Sequence, residues 1–277
     1  MTAPKASLII SVYNDTQFLS VVLNSVKAQT FKDFEIIISE DGEHEHVRAF
    51  LSNYPFENPW QHLTQQDLNW RKNRALNRAI LATKSEYIVF IDGDTVLHPR
   101  FMEHHVHMAG EKLILGGKRL KMNEKLTTLF LNGTLSPLKI NTYLLTHLPF
   151  LRKAGIRFPE EGFYINPNGI LGFIPKKRHL KNLTGCNMSF SKKAIMAING
   201  FDEDYTLPAI GEDIDLIWRF QKAGFQLGSV RNLAVQYHLH HKENWLDQEL
   251  NLQKLRIKQD QGTFHCLNGI EKHPIHD

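Results

Sequence analysis

The spacing of apolar residues changes period along this chain, and each change marks an element. Residues 7–12, 34–39 and 86–91 are short, nearly continuous apolar runs rich in Ile and Val, as expected of strands buried on both faces beneath helices. Between the first two, Phe18, Leu19, Val22, Leu23 and Val26 recur at helical spacing, behind Asn14 and Asp15, either of which suits an N-cap. Leu76, Ala79, Ile80 and Thr83 form a second stripe that feeds the run 86–91. Further helices are predicted over 47–54, through the histidine-rich segment near 98–107, over 192–198, from Glu212 onward, and from Trp245 to about residue 259. Ile214, Ile217, Trp218 and Phe220 are the expected inward face of the helix that starts at Glu212. Shorter strands are predicted near Leu63 and over 113–118, 184–190, 227–230 and 234–237. From 119 to 183 the period is lost among five prolines and scattered basic residues, an insertion that reads as a lid or an acceptor-binding surface.

Strands alternating with helices predict an α/β domain whose crossovers place the loops after successive parallel strands on one edge of the sheet. Three polar clusters should meet there: Tyr13-Asn14 after the first strand, Glu40-Asp41-Gly42 after the second, and Asp92-Gly93-Asp94 after the central one. A doubly buried strand does not carry carboxylates in its core, so Asp92 and Asp94 belong at its C-terminal end. Gly93 lets the chain turn between them. Two converging carboxylates repel unless a cation lies between them, and a hard divalent ion bridging to a diphosphate fits. Taken alone, Asp-Gly-Asp is better read as a polar turn closing a strand. Arg71, Lys72 and Arg74 open the helix before the central strand, where cations oppose the macrodipole. A bound anion would explain them, and Arg71 and Arg74 are assigned that role, while for Lys72 and Arg78 a solvated basic face stays an equal alternative. Glu212 and Asp213 would sit in a helical first turn, where acids are also stabilised for structural reasons.

Composition narrows the classes. With 277 residues, 42% hydrophobic and 22% charged, the chain can bury a substantial core. A net charge of +4 suits anionic substrates or a membrane surface and is too weak to imply a nucleic-acid partner. Cys186 and Cys266 are isolated and fit a reduced compartment. With no signal-peptide pattern and no apolar run near ~20 residues, a cytoplasmic location is expected, with peripheral attachment to the inner membrane left open. His98, His104, His105 and His107 read as solvated or packed, whereas an imidazole among His238, His240 and His241 could complete a metal shell. The tail helix carries Lys254, Arg256 and Lys258, consistent with packing or with docking on an anionic surface.

Val12-Tyr13-Asn14, Glu40-Asp41-Gly42, Arg71 with Asn77, and Asp92-Gly93-Asp94 resemble the successive motifs of family-2 glycosyltransferases. Gly185 to Phe190, Asn199 to Glu203, Gly211 to Leu216 and the histidine segment from His238 to Asn244 resemble the C-terminal motif set of β-1,4-galactosyltransferases and bacterial chondroitin-polymerase-type enzymes. Each motif is weak singly; their order and spacing over 7–118 and 184–245 carry the likeness. The resemblance implies a GT-A type, Rossmann-like fold with a mixed, mainly parallel sheet flanked by helices. It implies a donor half (1–118), an insertion (119–183), an acceptor and catalytic half (184–245) and a C-terminal tail (246–277). It also implies inverting, metal-dependent transfer of a sugar from a nucleotide-sugar donor, UDP-linked, to a saccharide or glycolipid hydroxyl, as in bacterial polysaccharide or lipopolysaccharide synthesis. Carried over, Val12, Tyr13, Asn14, Asp41, Arg71, Arg74, Asp92 and Gly93 bind the nucleotide sugar, Asp41 at the base and Asp92 near the ribose. Asp94 and His238 hold Mn²⁺ or Mg²⁺, with His240 as the alternative imidazole. Asp213 is the general base and Glu212 binds the acceptor. Two departures stand out: Glu40 replaces a common aspartate, and Leu207-Pro208-Ala209-Ile210 replaces the tryptophan-glycine approach of the galactosyltransferases. From the residues alone, a nucleotidyltransferase or a non-catalytic nucleotide-sugar-binding subunit is the alternative.

Overall fold

The computed structural model describes residues 3–242 and 246–272. Its strands are β1 (Ala6–Val12), β2 (Phe34–Glu40), β3 (Trp60–Leu63), β4 (Tyr87–Asp92), β5 (Thr95–Leu97), β6 (Leu113–Gly116), β7 (Arg119–Lys121), β8 (Met188–Ser191), β9 (Gln226–Ser229) and β10 (Gln236–His238). The helices are α1 (Thr16–Lys27), α2 (Glu45–Asn53), α3 (Lys72–Ala82), α4 (Phe101–His107), α5 (Glu124–Leu131), α6 (Ile140–Thr146), α7 (Phe173–Lys177), α8 (Lys192–Ala197), α9 (Ile214–Lys222) and α10 (Glu249–Asp260). Seven strands form one sheet in the order β3-β2-β1-β4-β8-β6-β9. Strands β3, β2, β1 and β4 run parallel, and β8 enters antiparallel to both β4 and β6. The sheet therefore draws strands from both sides of the 119–183 segment.

Alternation along the central strands explains why both faces are apolar. Leu8, Ile10, Ile36, Ile38, Val89 and Ile91 pack on one side with Leu19 and Val22 of α1. Ile9, Ile37, Ile88 and Phe90 pack on the other with Leu76 and Ile80 of α3 and Phe220 of α9. Each such fully buried side chain contributes about 1.5–3 kcal/mol of transfer free energy. Asp15 caps α1, its Oδ1 accepting from the Phe18 N–H at 2.8 Å.

A second, three-stranded sheet, β5-β10-β7, sits at the C-terminal edge of β4. Its register sets His238 opposite both Thr95 and Lys121. Three-residue strands carry no readable period, so β5 and β7 escape sequence reading. The segment 119–183 is also more regular than its composition predicts, holding β7 and three helices.

Near the C-terminal half the structure corrects two expectations. Helix α9 begins after Asp213, which occupies the N-cap position, so Glu212 and Asp213 precede the helix. Its inward residues are Asp215, Leu216, Ile217, Arg219 and Phe220, while Ile214 is 42% exposed and Trp218 is only partly buried. The reason is a buried ion pair. Arg219 Nε lies 2.6 Å from Asp215 Oδ2, Arg219 Nη1 donates to the carbonyls of Ile198 and Gly200, and Tyr205 Oη donates to Asp215 Oδ1. In α10, Lys254 and Lys258 turn inward to Asp204 and Asp202, so they serve packing rather than an external anionic surface. Trp245, the expected start of that helix, lies outside the described residues. No helix among the described residues is long and apolar enough to cross a membrane.

Candidate active site

The ends of β1, β2 and β4 converge on a cleft of about 640 Å³ lined by Val12, Tyr13, Asn14, Asp41, Asp67, Trp70, Lys72, Asp92, Gly93 and Asp94. Parallel pairing places these ends together: Val12 is opposite Glu40, and Ser11 is opposite Asp92. Gly93 donates its N–H to Ser11 O at 2.7 Å, and a Cβ there would lie 3.1 Å from that oxygen. Close approach, not positive φ, is what demands glycine here. Asp41 accepts from Gln65 Nε2 at 2.6 Å and from the Arg71 backbone N–H at 2.8 Å. Tyr13 is 51% exposed, its hydroxyl donating to Asp67 at 2.9 Å. Glu40 does not face the cleft. It is fully buried and bonds His44 and His62, which fixes the loop after β2.

A second cavity of about 390 Å³ continues from the first, sharing Trp70, Lys72, Asp92, Asp94 and His241, and adding Arg119, Lys121, Gly185, Cys186, Glu212, Asp213 and His238. Asp94 and Asp213 thus line one space. Asp94 Oδ2 lies 3.4 Å from His238 Nε2 and 3.1 Å from His241 Nε2. Burial disfavours its charge, yet the hydrogen bonds from both imidazoles prevail and hold the carboxyl well below the usual range. Asp94 Oδ1 is buried with no hydrogen-bond partner. Ligand atoms of Asp94, His238 and His241 all lie within 4.8 Å of one another, the one such group among the described residues that includes a site carboxylate. A carboxylate with two imidazoles and an unsatisfied oxygen fits a divalent transition ion. The second imidazole is His241; His240 is exposed and does not line the cavity.

Lys72 joins the two cavities. Its ammonium lies 2.8 Å from Asp92 Oδ1 and 2.5 Å from Glu212 Oε2. Burial works against its charge, but the two carboxylates prevail and raise it above the usual lysine range. Of the two readings open for Lys72 in the sequence, the solvated face is therefore excluded. Arg71 and Arg74 do not line either cavity: Arg71 serves Asp41 through its backbone and sends its guanidinium to Gln66 O. Arg74 is two residues beyond Lys72, roughly 200° around the helix and so away from the cleft. Arg119, unassigned by sequence, approaches Asp92 at 4.0 Å and donates to Cys186 Sγ. Burial pushes the Cys186 thiol up to about 12, so it stays protonated.

Asp213 Oδ1 accepts the Gly185 N–H at 2.6 Å. A Cβ on Gly185 would lie 2.9 Å from that oxygen, so a larger residue there would displace the Asp213 carboxylate. Burial and the adjacent Glu212 push Asp213 up to about 7, against the pull of the Gly185 N–H, Lys72 and Arg119. The histidines of α4 stand apart: His105 is buried between Ser189 and Asn187, and burial pushes it down to about 3.

This architecture is of GT-A type. Solved structures with the fold include S. aureus TarS 1–349 in complex with UDP-GlcNAc (13% identity, TM-score 0.58, covering 91% of this chain and 64% of that one). Another is the mannosyltransferase PcManGT from Pyrobaculum calidifontis in complex with GDP-Man and Mn²⁺ (12%, TM-score 0.55, covering 95% and 63%). Residues 7–198 match glycosyl transferase family 2, and residues 173–242 match the family described as the N-terminal domain of galactosyltransferase. The chain belongs to glycosyltransferase family 2, a family of enzymes. Relatives include the chondroitin synthase of Escherichia coli, 24% identical over 256 residues (84% of this chain, 34% of that protein). An uncharacterized glycosyltransferase of Nostoc is 31% identical over 112 residues (40% and 35%). The chain spans about a third of the length of these two relatives.

Proposed function

We propose that this chain is an inverting, metal-dependent glycosyltransferase that moves a sugar from a UDP-linked donor to a hydroxyl of a saccharide or glycolipid acceptor. One observation carries the reading: Asp94 and Asp213 line a single cavity that continues into a nucleotide-sized cleft through Asp92 and Lys72. The base would lie against Tyr13 and Asp41, the ribose beside Asp92, and the reacting sugar where the two cavities join. Val12, Asn14 and Gly93 complete the donor wall, while Arg71 acts through its backbone hold on Asp41. Asp94, His238 and His241 would hold Mn²⁺ or Mg²⁺, the imidazoles favouring manganese. When bound, that ion supplies Lewis-acid stabilisation of the leaving diphosphate.

The remaining chemistry belongs to the chain. Asp213 Oδ1 is fixed by Gly185, which leaves Oδ2 to take the acceptor hydroxyl proton as that oxygen attacks the anomeric carbon in line. Glu212, steadied by Lys72, would hydrogen-bond an acceptor hydroxyl. Lys72 itself keeps positive charge beside the departing diphosphate. One attack by the acceptor inverts the anomeric centre. Retention by double displacement would need an enzyme nucleophile. UDP-GlcNAc in one structural neighbour and Mn²⁺ in another support the donor class and the metal. The relative named chondroitin synthase supports a saccharide acceptor, and surface polysaccharide or lipopolysaccharide assembly is the setting we infer. A thermal-shift screen of nucleotide sugars with and without manganese tests this. A UDP-sugar should raise the melting temperature more with manganese than without. No response to any nucleotide sugar would contradict the reading.

A further inference from the structure

Residues 119–183 hold eleven of the chain's 33 Lys and Arg but only three of its 29 Asp and Glu, so the net charge of +4 owes its sign to this segment. The same segment exposes large apolar side chains. Ile170 is 96% exposed, and Leu148, Phe150, Phe158, Leu171 and Phe173 are each about half exposed or more. Leu148, Pro159, which follows Phe158, and Ile174, which follows Phe173, line a common cavity of about 390 Å³ with Arg178, which brings the segments bearing these tips together. The exposure is built into the backbone. Gly169 N–H donates to Asn166 O, Gly172 N–H to Gly169 O, and Ile174 N–H to Leu171 O, consecutive turns that leave Ile170 at the tip. A Cβ on Gly172 would fall 2.1 Å from Pro167 O, so the turn closes only on glycine. Phe158 takes a left-handed φ of 55°, uncommon for a bulky side chain. Exposed cations flank these tips along the chain, Arg152, Lys153, Lys176, Lys177 and Lys181, and the Lys177 ammonium lies 5.6 Å from the centre of the Phe173 ring.

Apolar tips flanked by lysine and arginine match the interface of an anionic bilayer, where shallow burial of the tips and attraction of the cations to lipid phosphates add. We propose that this face docks on an anionic lipid bilayer, with Ile170, Leu171 and Phe173 entering the headgroup region and Lys176 and Lys177 meeting lipid phosphates. Strand β7 links the face to the reaction cleft, since Lys121 lines the cavity and bridges to Arg157 next to Phe158. A membrane-held acceptor would then arrive on the Asp213 side. That consequence rests on the glycosyl-transfer reading, whereas the docking rests on the surface alone.

Co-sedimentation of the full chain with vesicles tests it, using phosphatidylcholine alone and equal parts phosphatidylcholine and phosphatidylglycerol. The chain should bind the anionic vesicles and not the neutral ones. Ile170→Ser with Leu171→Ser and Phe173→Ser, and separately Lys176→Glu with Lys177→Glu, should each lower binding at least about tenfold, and salt should weaken it. The nucleotide-sugar melting response of both variants should match the unaltered chain, which checks folding and the donor site separately. Vesicle binding without any nucleotide-sugar response would sink the transferase reading and leave the docking intact. The docking is overturned if the unaltered chain ignores anionic vesicles, binds both kinds equally, or is unaffected by both sets of substitutions. Self-association lost on the triple substitution, without vesicle binding, would also overturn it and assign the face to a second copy.

Discussion

On the proposed mechanism, Asp213 is one position that is costly to the fold and useful to the reaction. Its carboxyl lies against Glu212 in a buried pocket, which lifts it to about 7. A raised carboxyl favours the protonated folded state, so its contribution to stability is fully present below about pH 4 and is lost as pH rises through about 7. Transfer should run the opposite way. Its kcat/KM should climb about tenfold per pH unit below about 7 and level off above it, as Asp213 ionises to accept a proton. A pH–rate profile checks this, and a profile flat across that range would remove Asp213 as the base. At this scale the sequence was partly legible. Acids at strand ends announced themselves, since a buried strand has no other place for them. Arg119 did not, because a lone cation at the start of a three-residue strand looks like ordinary surface, and Lys72 could not be told from Arg71 and Arg74 beside it until the carboxylates facing it were known.

Among elements, the small sheet β5-β10-β7 positions the proposed metal ligands and the Asp215–Arg219 pair supports the proposed acceptor side. Leu239 N–H donates to Asp94 O at 3.0 Å, and Met122 N–H to His238 O at 2.9 Å, so backbone bonds hold Asp94 and His238 next to each other. The pair beneath α9 ties Arg219 to the carbonyls of Ile198 and Gly200 and so anchors the chain leading to Glu212. Both partners are fully buried. Asp215→Ala would leave an uncompensated guanidinium and should cost about 3–5 kcal/mol, read from the denaturant midpoint. A loss below about 1 kcal/mol would show that the pair is not the anchor. The long strands were legible in the sequence because β-branched runs admit few other readings. Helix α9 and its inward Ile217 and Phe220 were legible, whereas Ile214 and Trp218 were misplaced because the charged residues Asp215 and Arg219 occupy inward positions, and periodicity counts only apolar ones.

Across the whole molecule, the sheet brings motifs far apart in sequence to one edge. Strand β8, from beyond the 119–183 segment, pairs beside β4, and β10 pairs beside β5, so the residues proposed for donor and acceptor share a cleft. The order of the polar motifs foretold that edge, since each follows a parallel or adjacent strand. The form of residues 119–183 was not foretold, because its short helices are held by contacts with the rest of the fold rather than by a period of their own. The account stands on separation of roles within that cleft: Asp94 and the two histidines serve donor and metal, while Asp213 serves only the acceptor proton. Asp213→Asn tests it most directly, with donor and manganese binding measured by calorimetry and transfer by product formation. Binding should stay within about twofold while transfer falls about 10²–10⁴-fold. Transfer at the original rate, or binding lost together with transfer, would contradict it.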